Sequence, residues 1–149
     1  MMNIKKLVYW VLGLAIGGLL LIQLVPYGRN HNNPPVLSEP NWDSPDTRAL
    51  AKTACFDCHS NETDWNRWYT KVAPASWLVQ HDVDEGRRVV NFSEWNQNGK
   101  PRELGELIEA TQEGFMPPKQ YLILHPEAKL TQDQINQLVN GFRTTLSNK

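Results

Sequence analysis

The chain has 149 residues, 40% of them apolar and 21% charged, with a formal net charge of −1. That length gives one domain with at most an appendage, and the composition excludes collagenous, low-complexity and disulfide-dense architectures. Without a basic excess, a nucleic-acid partner is not expected.

Residues 1–6 carry Lys5 and Lys6, and the stretch Leu7–Val25 that follows is uncharged, with Gln23 its only polar side chain. Nineteen residues of helix extend roughly 28 Å, against a hydrocarbon core of about 30 Å. A cleaved signal peptide has a shorter apolar region and a small-residue cleavage site. Val25-Pro26-Tyr27-Gly28-Arg29 offers no such site, so 7–25 reads as an uncleaved transmembrane anchor. Lys5 and Lys6 before it outweigh Arg29 after it, which places the N-terminus in the cytoplasm and residues 26–149 outside. All sixteen acidic residues fall beyond residue 25 with thirteen Lys and Arg, so the exported part carries −3.

Residues 26–45 hold Pro26, Pro34, Pro35, Pro40 and Pro45 among Asn, Ser and Asp. Proline at this density blocks helix and stiffens the chain, so this stretch reads as a spacer leading to a domain over 46–149. Ser44-Pro45 is a helix start, with an N-cap followed by proline at the first helical position. That helix is predicted through Thr47–Ala54 into the cysteines. Pro74 opens a second helix over 75–91, with Trp77, Leu78 and His81 at helical spacing. Pro101 opens a third, with Leu104, Leu107, Ile108 and Thr111 on one face and Gly114 as a left-handed cap. Thr131-Gln132-Asp133-Gln134 is a capping box. Ile135, Leu138, Val139, Phe142 and Leu146 then form the stripe of an amphipathic helix. No stretch alternates as a strand, so the exported domain is expected to be all-α. Its apolar stripes are thin, and a bound prosthetic group would help to fill so small a core.

Cys55-Phe56-Asp57-Cys58-His59 is C-x-x-C-H, the c-type haem attachment pattern. Two thiols one helical turn apart can each add to a vinyl group of one haem, and the adjacent histidine then reaches the iron. The competing readings are weaker. Structural zinc wants four protein ligands, and the sequence has only these two cysteines. A thioredoxin-like dithiol wants a β-α-β context, and a plain disulfide leaves His59 unexplained. The expected cofactor is thus one covalently attached haem c, with His59 as proximal ligand. Met116 is the only exported methionine. It lies in Gly114-Phe115-Met116-Pro117-Pro118, where two prolines stiffen the backbone, and Met/His is a standard axial pair. Met116 is therefore the expected distal ligand, with His81 as the alternative and His125 and His31 weaker. Trp65, Trp68, Trp77 and Trp95 could wall the cofactor, and Arg87 or Arg88 could pair a propionate; packing and solvated faces explain these residues equally well. The sequons at Asn61 and Asn91 are short enough to arise by chance.

Cys55–Leu138 resembles a family of small bacterial haem-binding domains with a single C-x-x-C-H. The likeness is carried by Cys58-His59-Ser60-Asn61, Thr63-Asp64-Trp65, Trp68-Tyr69 and Ala73-Pro74-Ala75-Ser76-Trp77-Leu78. It continues through Glu85-Gly86-Arg87, Asn91-Phe92-Ser93-Glu94-Trp95, Met116-Pro117, Tyr121, His125-Pro126, Ala128 and Leu130-Thr131. The resemblance implies a cytochrome-c-like helical domain loaded with haem outside the cytoplasm. With the charge bias about the span, it implies a single-pass protein of a bacterial inner membrane with its haem domain periplasmic.

These readings point to single-electron transfer on the outer face of the membrane, with redox partners that carry basic docking patches. The alternative is a haem enzyme of peroxidase type, or a gas or redox sensor, in which an open distal site takes a small ligand and His81 acts as acid or base. A haem-bearing interaction module is the third reading. No nucleophile elbow, phosphate loop or paired metal motif supports a separate catalytic site.

Overall fold

The computed structural model describes residues 3–95 and 101–147, without the side chains of 101–104. Leu104, assigned above to a helix face, therefore falls outside the described residues, as do Met1 and Met2. The described residues form α-helices, two 3₁₀ turns and no strand beyond a single bridge between Ser38 and Glu94. The fold is all-α, as expected. In chain order the helices are α1 (Ile4–Ile22), α2 (Pro45–Ala54), α3 (Phe56–His59), α4 (Ala75–Val89), α5 (Pro101–Gln112), α6 (Lys119–Leu124) and α7 (Gln132–Ser147). The 3₁₀ turns are Trp68–Lys71 and Pro126–Ala128. Contacts divide the chain into two compact units, residues 1–32 with 65–82, and residues 33–64 with 83–149.

In the first unit, Asn3 caps α1 by accepting the Lys5 N–H at 3.1 Å, and no residue of the helix is buried. By length and composition α1 is apolar enough to cross a membrane. Gln23 ends it, and its side-chain amide grips Ala73 in both directions. Nε2 donates to the Ala73 carbonyl at 2.9 Å and Oε1 accepts the Ala73 N–H at 3.0 Å. Gly28 follows with φ +73°, and a Cβ there would press into the Ser76 carbonyl. Glycine is needed at that position for both conformation and space. His31 stacks on Trp65 with ring centres 5.0 Å apart. Its Nε2 lies 3.1 Å from the Gly28 carbonyl and 2.9 Å from that of Thr70, and since carbonyls only accept, Nε2 carries the proton.

The second unit has a core of aromatic rings. Phe56, Phe92 and Phe142 are buried, and Trp42 packs against all three at 5.3–6.2 Å. Ala51, Val90, Leu107, Ile108, Leu138 and Val139 complete the cluster. Local sequence explains its helices. Ser44 Oγ accepts the Thr47 N–H at 3.2 Å, with Pro45 at the first position of α2. Thr131 and Gln134 exchange backbone-to-side-chain bonds at 2.8 and 3.3 Å, the reciprocal capping box that starts α7. Gly141 brings α7 against α2 so closely that a Cβ would collide with Thr47. The predicted stripe of α7 is buried at Leu138, Val139 and Phe142 and half-buried at Ile135 and Leu146.

Two regions differ from the sequence reading. Residues 26–44 hold no helix, as their prolines require, yet the part from 33 onward is bonded into the second unit. Asn33 donates to Thr63 at 2.9 Å, Ser93 carbonyl accepts Leu37 and Ser38, and Trp42 enters the core. On α4 the expected face is out of phase. Ser76, Val83 and Gly86 are buried, while Leu78 and His81 are exposed and Trp77 is half-buried.

Candidate functional site

Cys55 closes α2 as its C-cap and leaves helical geometry (φ −126°, ψ −32°) before α3 begins. The N–H groups of Cys58 and His59 then both donate to its carbonyl, at 3.2 and 2.9 Å. The two cysteines are thus one tight turn apart, and no disulfide joins them. Burial, with a smaller push from Cys58, raises the Cys55 thiol to about 12, so it stays protonated.

His59 is buried, and its Nδ1 lies 3.2 Å from the Val90 carbonyl. A carbonyl can only accept, so Nδ1 is the N–H and Nε2 carries the lone pair, which is the tautomer an iron ligand needs. Burial holds the ring's pKa below its ordinary value, which the bonds to the Val90 and Gly86 carbonyls partly offset, and it is neutral. Gly86 has a further part. A Cβ there would collide with the Cys58 carbonyl, so α4 passes against the Cys55–His59 turn only because this position is glycine.

The turn over residues 90–94 is hydrogen-bonded to His59 and the residues after it. Phe92 N–H donates to the His59 carbonyl at 2.8 Å, Asn61 N–H to Ser93 Oγ at 2.9 Å, and Asn91 Nδ2 to Asn61 Oδ1 at 3.0 Å. Asn61 and Asn91 are both buried, which gives the two sequons a packing role. Asp57, inside the motif, accepts the Tyr121 hydroxyl at 2.7 Å and the Asp64 N–H at 3.0 Å. Tyr121 stacks on the buried His125 with centres 3.9 Å apart.

Met116 is placed by the end of α5. Gly114 (φ +75°) donates to the Thr111 carbonyl and Phe115 to that of Ala110, the paired bonds of a Schellman cap, and Met116 N–H also reaches the Ala110 carbonyl at 3.1 Å. The half-buried Met116 side chain lines a mostly apolar cleft together with Cys55, Ala54, Leu122, Ile135 and Leu138.

The other candidate residues are dispersed. Trp95 stacks on Phe92 at 6.3 Å as part of the core. Arg87 is spent inside the second unit, donating to the Ser60 carbonyl at 2.8 Å and to Asn33 and Thr63 at 3.0 Å. Arg88 pairs with Glu85 at 2.6 Å. Trp65, Trp68, Trp77 and His81 belong to the first unit. There Trp65 is buried under His31, Trp68 is 71% exposed, and the buried Trp77 indole N–H has no hydrogen-bond acceptor among the described residues. Among the described residues there is no cluster of three or more His, Cys, Asp or Glu that could hold a metal ion.

Cys55, Cys58, His59 and Met116 all lie in the second unit. The chain belongs to the haem-binding domain family, whose model matches residues 17–144. No curated protein and no solved structure gives a significant match.

Gly86 and Tyr121 stood out in the sequence only through the family resemblance, without the roles seen here: the close approach of Gly86 to Cys58 and the Tyr121–Asp57 bond. The Val90 carbonyl was not signalled at all. Each acts through backbone or long-range pairing, for which spacing within the chain carries no signal.

Proposed function

We propose that this is a membrane-anchored monohaem c-type cytochrome-like protein that carries single electrons on the outer face of a bacterial inner membrane. Cys55 and Cys58 would form the thioether links, His59 the proximal and Met116 the distal iron ligand. When bound, haem supplies an iron that exchanges one electron. The protein's own residues fix its environment. Val90 aims the His59 ring, α3 spaces the thiols, and the α5 cap with Pro117 and Pro118 presents the Met116 thioether from a constrained loop.

The observation that carries this reading is that Cys55 and Met116 line one apolar cleft in the unit that also holds His59, whose Nδ1 faces the Val90 carbonyl. A methionine on the far side would complete six-coordination and leave no open site for catalysis. The exported charge of −3 favours partners with basic docking patches and makes encounter salt-sensitive. Lys5 and Lys6, in the first turn of α1 and ahead of its uncharged stretch, support the orientation.

Substitution tests the ligand set. Met116→Ala is expected to keep haem attached while abolishing the weak far-red methionine-to-iron band and lowering the reduction potential. Cys58→Ala is expected to weaken or abolish covalent attachment. An unchanged spectrum and potential in Met116→Ala would remove Met116 from the ligands and turn attention to His81.

A further inference from the structure

Besides those of α1, the first unit exposes further large apolar side chains. Among the described residues of 65–82, three large apolar side chains are exposed: Trp68 at 71%, Val72 at 45% and Leu78 at 50%. Few apolar residues beneath them are buried, so they are not the overflow of a large core. Their position along the chain is informative. Ala73, next to Val72, is held in both directions by Gln23, the residue that caps the end of α1. The side chains that leave α1 at that end, Leu24, Val25 and Tyr27, are exposed as well. Wherever the end of α1 lies in a bilayer, the Gln23 clasp keeps the 68–73 turn at the same depth.

We propose that Trp68, Val72 and Leu78 form a membrane-interface contact, seated in the headgroup–acyl boundary of the bilayer that α1 spans. This rests on reading α1 as a transmembrane helix. Tryptophan favours that boundary because its apolar ring and polar N–H match the two sides of it. Lys71, exposed between Trp68 and Val72, can lay its methylene stem along the apolar layer and leave its ammonium among lipid phosphates. The contact fixes the first unit to the membrane surface at two points, so that α1 is a seated anchor and not a swivel.

The test uses the full, haem-loaded chain in phosphatidylethanolamine–phosphatidylglycerol vesicles doped with photoactivatable phospholipids. One probe carries its diazirine at the end of the acyl chain and the other beside the ester, and adducts are mapped by peptide mass spectrometry. Chain-end adducts are expected in α1 and ester-proximal adducts in residues 65–78. The Trp68→Ser/Val72→Ser double variant is expected to lose the second set, with its haem spectrum and α1 adducts unchanged. If α1 is labelled and 65–78 is not, or if the double variant is labelled like the parent, the interface contact is overturned while the span stands. If α1 itself takes no chain-end adducts, the spanning reading fails and the contact with it.

Discussion

Each unit is held together internally, and the forces differ between them. Of the buried apolar residues described, only Trp65 and Ala73 lie in the first unit, whereas the second has Phe56, Phe92, Phe142, Leu138 and their neighbours. The first unit relies on side chains that capture backbone groups: Gln23 on Ala73, His31 on Gly28 and Thr70, and Thr70 Oγ1 on Trp65 and Arg67. Net contributions of about 1 kcal/mol per hydrogen bond are small beside the ~3–5 kcal/mol lost when a buried aromatic is truncated. The second unit rests on its own packing, with the rigidity that the proposed iron ligands would require. The first suits attachment to a surface.

Substitutions in each unit sharpen this contrast. Phe142 is fully buried among Phe92 and Trp42, so Phe142→Ala is expected to cost about 4 kcal/mol in denaturant unfolding of the second unit. Gly86→Ala comes next. Its methyl group meets the Cys58 backbone, which cannot yield like a side chain, and a loss of about 3 kcal/mol is expected together with a lower yield of attached haem. His31→Ala removes two carbonyl contacts and a ring stack from the first unit. About 1 kcal/mol is expected, read as faster amide exchange over residues 68–71 with no change in haem content. A comparable loss from His31→Ala and Phe142→Ala would break the comparison.

The smallest effect concerns pH. Glu39 accepts Arg48 Nε and Nη2 at 2.7 and 2.6 Å and the Trp42 N–H at 2.9 Å. The bond to Arg48 holds its carboxyl below the usual range. Its stabilisation is therefore complete above the ordinary carboxylate pKa of about 4.3 and is lost as pH falls through the lowered folded value. Both partners are partly exposed, so Glu39→Gln is expected to cost about 1 kcal/mol at neutral pH. The gap from the parent should close in acid, measured by unfolding across pH.

Much of this architecture was legible locally. Ser44-Pro45, the Thr131/Gln134 box and Gly114 announced helix ends because capping depends on residues within one turn. The C-x-x-C-H motif was legible for the same reason, since its geometry is that of a single turn. The face of α4 was not. Trp77, Leu78 and His81 satisfied helical spacing, but its buried side carries Val83 and Gly86, and Gly86 lies against Cys58, which is distant in sequence. Trp42 was hidden by the prolines around it, which forbid helix without preventing a side chain from entering the core. Arg87 was read for its charge, and its engagement by Ser60, Asn33 and Thr63 depends on three segments converging.

The most direct test of the central claim is the optical spectrum, oxidised and reduced, of the full chain matured with a c-type haem system, with the haem then challenged by acidified acetone. The account predicts haem that resists extraction, a six-coordinate low-spin spectrum in both states, and the far-red methionine band when oxidised. Haem that extracts freely would contradict covalent attachment through Cys55 and Cys58. A high-spin spectrum that responds to carbon monoxide would contradict Met116 ligation and the electron-carrier role.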